Sequence, residues 1–316
     1  MKNKYLGIDI GGTAVKIGLV DSEGILICKE QYSVSFDHYA TPILETVLKS
    51  TDLFCESNQI TPSELSGIGI SATGQIDSSL GIVAGSGGSI KNWEGAPLKK
   101  SFSDKYHLTV SVVNDANCVA LGEKWTGSAK ESKNVIVLTI GTGLGGGIIV
   151  NDQILLGQLG YGGEIGHFSI NNNGLPCTCG NVGCFQQYAS MTALVERVQE
   201  YYKKTNPNFL LSHEVNGKTI FDSVNEANDD IISIVNEWIH NIACGIVSLV
   251  HIFNPEQVII GGGVCVQEEL FISKLRKEVL SHVMPNFKKH LRINAATLGN
   301  DAGLIGAVYY LITSEE

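Results

Sequence analysis

Three clusters in this sequence carry residue types at spacings that could do chemistry. The first, Asp9-Ile10-Gly11-Gly12-Thr13, joins a carboxylate to a glycine turn and a hydroxyl, with Lys16 close behind. Backbone N–H groups of such a turn can converge on an anion where no Cβ intrudes. Asp9 could hold a metal ion directly or through water, Thr13 could donate a hydrogen bond, and Lys16 could bring a cation. Phosphoryl transfer needs that mixture. The plainer reading is a tight hairpin whose glycines supply a positive φ. A second turn, Thr139-Ile140-Gly141-Thr142-Gly143, and the run Gly261-Gly262-Gly263 repeat the pattern and strengthen the phosphate reading.

The second cluster is Asn114-Asp115-Ala116-Asn117, at the end of a strand expected over 108–113. A carboxylate there could accept the proton of a substrate hydroxyl, the task of a general base in transfer to an alcohol. Asp115 could equally cap the helix that starts near Ala116. The two roles do not exclude each other. The third cluster is Cys177, Cys179 and Cys184, a C-x-C-x4-C run with His167 upstream. Three thiolates and an imidazole match a closed, tetrahedral, structural zinc site. Such a site would pin a glycine-rich loop and orient neighbours such as Glu164. The alternative is three buried thiols and an unrelated histidine. Cys28, Cys55, Cys118, Cys244 and Cys265 are scattered and read as small apolar residues.

Gly141, Gly143 and Gly146 also satisfy G-x-G-x-x-G, with Glu164 near the place of a ribose-binding acid. That dinucleotide fingerprint requires a helix directly after the glycines. Gly147-Ile148-Ile149-Val150 is glycine followed by β-branched residues, so a hairpin fits better.

The elements that must position these clusters follow the same grammar twice. Residues 5–10 read as a buried strand, the chain turns at Gly11-Gly12, and residues 14–20 return. Residues 135–140 turn at Gly141 to Gly143 and return at 147–150. Superposed, Asp9 falls on Thr139 and Gly11 on Gly141, an internal repeat that suggests two related α/β domains. Helices are expected over 42–58, 192–204 and 229–253, and strands over 67–70 and 258–260. The expected domains are 1–117, with a final helix over 302–316 packing back on it, and 118–301, which carries the zinc loop.

The chain has 316 residues, 43% hydrophobic and 17% charged, long enough for two α/β domains. Its net charge of −10 comes without a basic stripe, so nucleic acid is not an expected partner. No apolar run approaches the roughly 18 residues of a bilayer span, and no membrane partner is expected. Asp9 interrupts any export signal, so a soluble, cytoplasmic protein is expected, whose cysteines serve as free thiols or metal ligands.

Together these motifs resemble the ROK family of sugar kinases and repressors. The resemblance rests on Asp9 to Thr13, Asn114 to Asn117, Thr139 to Gly143, Glu164-Ile165-Gly166-His167, the cysteine cluster, and Asp301-Ala302-Gly303-Leu304-Ile305-Gly306, nearly end to end. It implies the actin-like, ribonuclease-H-like ATPase fold, two α/β domains around a substrate cleft. It also implies an ATP-dependent hexose kinase acting on the 6-hydroxyl, with glucose as default substrate, ATP and Mg²⁺ as cofactors, structural Zn²⁺ and a homodimer. In that frame Asp115 is the base, and Asn114, Glu164 and His167 contact sugar hydroxyls, with His167 also a zinc ligand. Gly74, Ser89 and Gln186 join the sugar side. Asp9 lies near Mg²⁺, and Gly11, Gly12, Thr13, Lys16, Thr139, Gly141, Thr142 and Gly143 meet the phosphates. Gly261, Gly262 and Gly263 line the adenosine pocket. Gln186 stands where the family carries a third acidic sugar contact. Ser89 lies near a family Asn, and Thr73 replaces a family Pro. Stretches near Ser89 and Asp115 also resemble β-glucoside kinases, and N-acetylmannosamine is a further family substrate. A repressor would need a DNA-binding domain ahead of Asp9, where eight residues stand, so an enzyme is expected over a regulator or inactive sugar sensor.

Overall fold

The computed structural model describes residues 2–86 and 90–314. The strands are β1 (Lys4–Ile10), β2 (Ala14–Asp21), β3 (Leu26–Ser33), β4 (Gly67–Ala72), β5 (Gln75–Asp77), β6 (Ile82–Gly85), β7 (Val110–Asn114), β8 (Val135–Ile140), β9 (Leu144–Val150), β10 (Gln153–Ile154), β11 (Gln257–Gly261) and β12 (Arg292–Ala295). The helices are α1 (Ile43–Ser57), α2 (Leu98–Tyr106), α3 (Asp115–Trp125), α4 (Gln186–Ala189), α5 (Met191–Thr205), α6 (Phe209–Ser212), α7 (Gly217–Asn225), α8 (Asp229–Phe253), α9 (Ser273–His282), α10 (Pro285–Lys288) and α11 (Ala302–Ser314).

Two five-stranded sheets share one topology, β3-β2-β1-β4-β7 and β10-β9-β8-β11-β12. In the first, β1 and β2 form an antiparallel hairpin, and β4 and β7 add in parallel. In the second, β11 pairs in parallel with both β8 and β12. The repeat read from two glycine turns thus extends over whole sheets, the mixed α/β architecture of the actin-like ATPase fold.

The chain divides into two compact units. One comprises Met1–Glu131, Gly147–Gly163 and Thr297–Glu316; the other, Ser132–Gly146 and Glu164–Ala296. The expected boundary after residue 117 falls inside α3, and the structure draws it after that helix. The reason is close packing of α3 on α11. A Cβ on Gly122 would lie 2.4 Å from the Ala302 carbonyl oxygen, and one on Gly306 would lie 1.7 Å from that of Cys118. Buried Glu123 seals the same corner. It accepts hydrogen bonds from the backbone N–H groups of Ser128, Thr297 and Leu298 at 2.8, 2.9 and 2.8 Å.

Strand alternation explains the first unit's core. Leu6, Ile8 and Ile10 of β1 and Ile68 and Ile70 of β4 share a core with Val47 and Phe54 of α1, Trp93, and Phe102 of α2. The opposite face carries Gly7, Asp9, Gly67, Gly69 and Ser71. Its glycines let α11 lie directly on the sheet: a Cβ on Gly69 would meet the Ala307 carbonyl oxygen at 2.2 Å, and one on Gly7 that of Leu304 at 2.6 Å.

In the second unit α8 is the central helix, burying Val235, Trp238, Ile239, Ile242 and Ile246 and packing against α4, α5, α7 and α9. Its 25 residues are long and apolar enough on average to cross a membrane, although Asn236, Glu237, His240, Asn241 and His251 break any continuous apolar run.

Candidate active site and metal centre

Asp9 is the penultimate residue of β1, and register decides what meets it. Its antiparallel partner is Lys16 and its parallel partner Ser71. The Lys16 Nζ lies 3.1 Å from Asp9 Oδ2, and the Ser71 hydroxyl donates to Oδ1 at 2.7 Å. Lys16 also donates to the Asn300 carbonyl at 3.2 Å. Gly303 approaches from α11, where a Cβ would stand 2.8 Å from Asp9 Cγ and Oδ1. The carboxylate is fixed from three sides. Lys16, expected to bring a cation to phosphates, also helps hold Asp9.

The turn beyond Asp9 is tied back through its carbonyls. The Tyr39 hydroxyl donates to Gly12 O at 2.7 Å, and the Val34 N–H donates to Thr13 O at 3.0 Å. Because the trans peptide opposes C=O and N–H, the Thr13 N–H is aimed away from Tyr39. Gly11 and Gly12 are not at positive φ. A Cβ on Gly12 would make only an ordinary 3.6 Å contact with Ile90. A Cβ on Gly11 would stand a tight 3.3 Å from Ala14 O, so of the two it is Gly12 that the hairpin does not by itself require to be glycine.

The β8–β9 turn repeats this. The Gly141 N–H closes on Gly143 O at 3.0 Å, and Gly141 O accepts from the Met191 N–H at 2.9 Å, at the start of α5. Gly141, Thr142 and Gly143 are exposed. Neither Gly141 nor Gly143 is at positive φ, and a Cβ on Gly141 would meet nothing within 4 Å. Thr139 pairs with Gly261 as Asp9 pairs with Ser71. Gly263 is also open, whereas Gly262 is glycine for structural reasons: its φ is 101° and a Cβ would lie 2.0 Å from Ile140 O. Gly146 is structural too, its Cβ position 2.2 Å from Ile165 Cδ1. The segment after the turn is strand β9, so the dinucleotide-fingerprint reading has no helix to rest on.

At the end of β7, the cap of α3 is Asn114 and Asp115 is the first helical residue. Asn114 Oδ1 accepts from the Ala116 and Asn117 N–H groups at 2.9 and 3.2 Å, and its Nδ2 donates to Gly74 O at 2.9 Å. Gly74 has φ 101° and faces the Gly85 carbonyl oxygen at 2.6 Å from its Cβ position, which accounts for its glycine. Asp115 is half-buried, and its Oδ1 accepts from the Ala116 N–H at 2.8 Å. Ser89 lies outside the described residues.

In the second unit Glu164 precedes the short 3-10 turn Ile165–His167. Desolvation holds its carboxyl above the ordinary range, with His167 pulling the other way. His167 and the three cysteines converge, their ligand atoms all within 4.8 Å of one another. The His167 Nδ1 is 3.6 Å from Cys177 Sγ, and Cys179 Sγ is 3.5 Å from Cys184 Sγ. Zn–S and Zn–N bonds of about 2.3 and 2.0 Å set tetrahedral ligand separations of about 3.5–3.8 Å, so the donor set fits zinc. Against an opposing desolvation, hydrogen bonds from the Cys179 amide and neighbouring side chains bring the Cys177 thiol down to about 5. Desolvation and the adjoining thiols push Cys184 up to about 12. A divalent cation would remove that mutual repulsion. Gln186, at the start of α4, donates to Cys177 Sγ at 3.5 Å, and its Oε1 lies 3.5 Å from the Gly143 Cβ position. It thereby links the cysteine loop to the β8–β9 turn.

Residues 5–314 match the ROK family. A glucokinase from Thermotoga maritima is 32% identical over 315 residues, covering 97% of this chain and 96% of that one. The chain belongs to the ROK family. A ROK glucokinase from Streptomyces griseus, solved with glucose and AMPPNP, superposes with a TM-score of 0.82 at 30% identity, covering 96% of this chain and 98% of that one. A xylose repressor from Caldicellulosiruptor bescii is 30% identical over 98% of this chain and 78% of its own length. This ROK protein thus has sugar kinases and a regulator among its relatives. Residue reading missed Ser71, Gly303 and Tyr39, which hold Asp9 and its turn. Only the strand registers and the placement of α11 reveal them.

Proposed function

We propose that this ROK protein is an ATP-dependent hexose kinase that phosphorylates the 6-hydroxyl of a sugar, with glucose as default substrate. The observation that carries the reading is the pair of glycine turns in which neither backbone conformation nor internal packing demands glycine at Gly12, Gly141 or Gly143. Glycine at such open positions lets a phosphate chain come up against backbone N–H groups. The S. griseus relative bound to glucose and an ATP analogue supports the same assignment.

In this proposal Gly11, Gly12, Thr13, Gly141, Thr142 and Gly143 present donors to the phosphates, and Gly261 and Gly263 face the adenosine. Asp9, immobilised by Ser71 and Lys16, is the carboxylate that would hold Mg²⁺. When bound, that ion neutralises charge on the transferring phosphoryl group. Asp115 takes the proton from the sugar hydroxyl as it attacks the γ-phosphorus. Asn114 fixes the first turn of α3 and with it Asp115. Glu164, His167 and Gln186 bind sugar hydroxyls. His167 would use Nδ1, the atom near Cys177, for zinc, leaving Nε2–H as a donor to sugar. The zinc is structural. A homodimer, which the family resemblance implies, would be read by sedimentation velocity.

The test is ADP release from Mg-ATP over glucose, mannose, fructose, N-acetylmannosamine, N-acetylglucosamine, allose and cellobiose, with Asp115→Asn beside the wild type. The expected result is turnover of one sugar and a kcat loss of about 10²- to 10⁴-fold in the variant. Preference for N-acetylmannosamine or a β-glucoside would replace glucose and keep the reaction. The repressor relative motivates the second reading, a sugar-responsive regulator. It prevails if folded protein binds a sugar without releasing ADP.

A further inference from the structure

The exposed side of α8 carries chemistry that the kinase reading leaves unused. While α8 buries Trp238, Ile239, Ile242 and Ala243, His240 and Cys244 fall on successive turns of the solvent side. The His240 Nε2 lies 3.6 Å from Cys244 Sγ. Its Nδ1 lies 2.8 Å from Glu278 Oε1 on the adjacent α9. One turn beyond Glu278, His282 Nδ1 lies 3.8 Å from the same carboxylate oxygen.

Nitrogen and sulfur donors four residues apart on one helix face form a ready bidentate pair for a thiophilic cation. A carboxylate on the far nitrogen is the arrangement that fixes a metal-binding histidine's tautomer and raises its basicity. With Glu278 accepting the Nδ1–H, the Nε2 lone pair is turned toward Cys244. We infer that His240 and Cys244, backed by Glu278, form a second, exchangeable site for a d¹⁰ cation such as Zn²⁺ or Cd²⁺, separate from the cysteine loop. Binding replaces the S–H bond with a metal–sulfur bond and releases the proton to solvent. Nε2 supplies the second protein ligand, and water fills the remaining positions. Desolvation and the Glu278 charge hold the free thiol above its ordinary value. Two protein donors make this site weaker than the four-donor cluster, which is the one group among the described residues that brings three or more ligand atoms together.

The experiment is time-resolved alkylation by iodoacetamide, read at each cysteine by peptide mass spectrometry, on the full chain with and without added Cd²⁺. At about a hundred times Kd the free Cys244 population, and its alkylation rate, should fall by about a hundredfold. Cys28, half-buried in β3, should react at an unchanged rate. His240→Ala, an exposed change that leaves the α8 core intact, should abolish the protection. Glu278→Gln should weaken the apparent affinity by about tenfold or more. Equal Cys244 rates with and without Cd²⁺, or full protection in His240→Ala, would overturn the assignment. The readout does not depend on kinase activity, so it stands or falls apart from the proposed function.

Discussion

Gly303→Ala puts one methyl group against the carboxylate on which the proposed chemistry depends. The new Cβ would stand 2.8 Å from Asp9 Cγ and Oδ1 and 3.0 Å from Oδ2. Ordinary contact begins near 3.5 Å, so Asp9 or the start of α11 must yield by about 0.7 Å. Asp9 has little freedom to yield, because Ser71 and Lys16 hold its two oxygens. A misplacement of about 1 Å can cost about 10²-fold in rate, so a loss of about ten- to fiftyfold in kcat/KM for Mg-ATP is expected, about 1.4–2.3 kcal/mol. Steady-state kinetics with varied Mg-ATP would measure it, and a thermal melt would show whether α11 retreated instead. Wild-type kinetics together with a wild-type melting temperature would refute the packing argument, because the methyl must displace something.

Three further outcomes follow from the same geometry. Gly141→Ala meets open space at an ordinary φ, so stability should be unchanged or rise by up to about 1 kcal/mol, while KM for ATP rises; a destabilised variant with normal KM would return the turn to a purely structural role. Glu123→Ala leaves three partly buried backbone N–H groups without their acceptor, so urea unfolding should show a loss of about 2–4 kcal/mol; a loss below about 1 kcal/mol would mean water takes over the carboxylate's bonds. Cys184→Ser should release the loop's zinc, read by elemental analysis of the dialysed protein, and lower the melting temperature; unchanged zinc content would place the metal elsewhere.

Much of the fold was legible because glycine and β-branched residues are strong local punctuation. The turns after Ile10 and Ile140 both read correctly as hairpins. What local patterning could not carry was register and long-range packing. Ser71 directly follows the strand expected over 67–70, yet its bond to Asp9 exists only because β4 pairs in parallel with β1 at that offset. Lys16 read only as a cation for phosphates because nothing near it in sequence indicates Asn300 or the cross-strand carboxylate. Asn114 and Asp115 are both good capping residues, and only the backbone trajectory out of β7 makes the first the cap and the second a helical residue. The expected boundary after residue 117 cuts α3 for the same reason, since α3 is held by contacts with residues 297–306. Cys244 read as a small apolar residue because the burial side of α8 cannot be assigned from cysteine alone.

The interleaving of the two units along the chain dictates an order of assembly. Residues 132–146 and 164–296 complete one unit before α11 has been synthesised, whereas the unit that begins at the N-terminus stays unfinished until residues 297–314 emerge from the ribosome. Until then β1 and β4 expose the face made by Gly7, Gly67 and Gly69, and α3 has no partner for Gly122. The first half translated is therefore the last half to fold. A chain stalled or clipped just before α11 would carry a finished second unit and a first sheet with one bare face, a state prone to capture by chaperones and to association through that face.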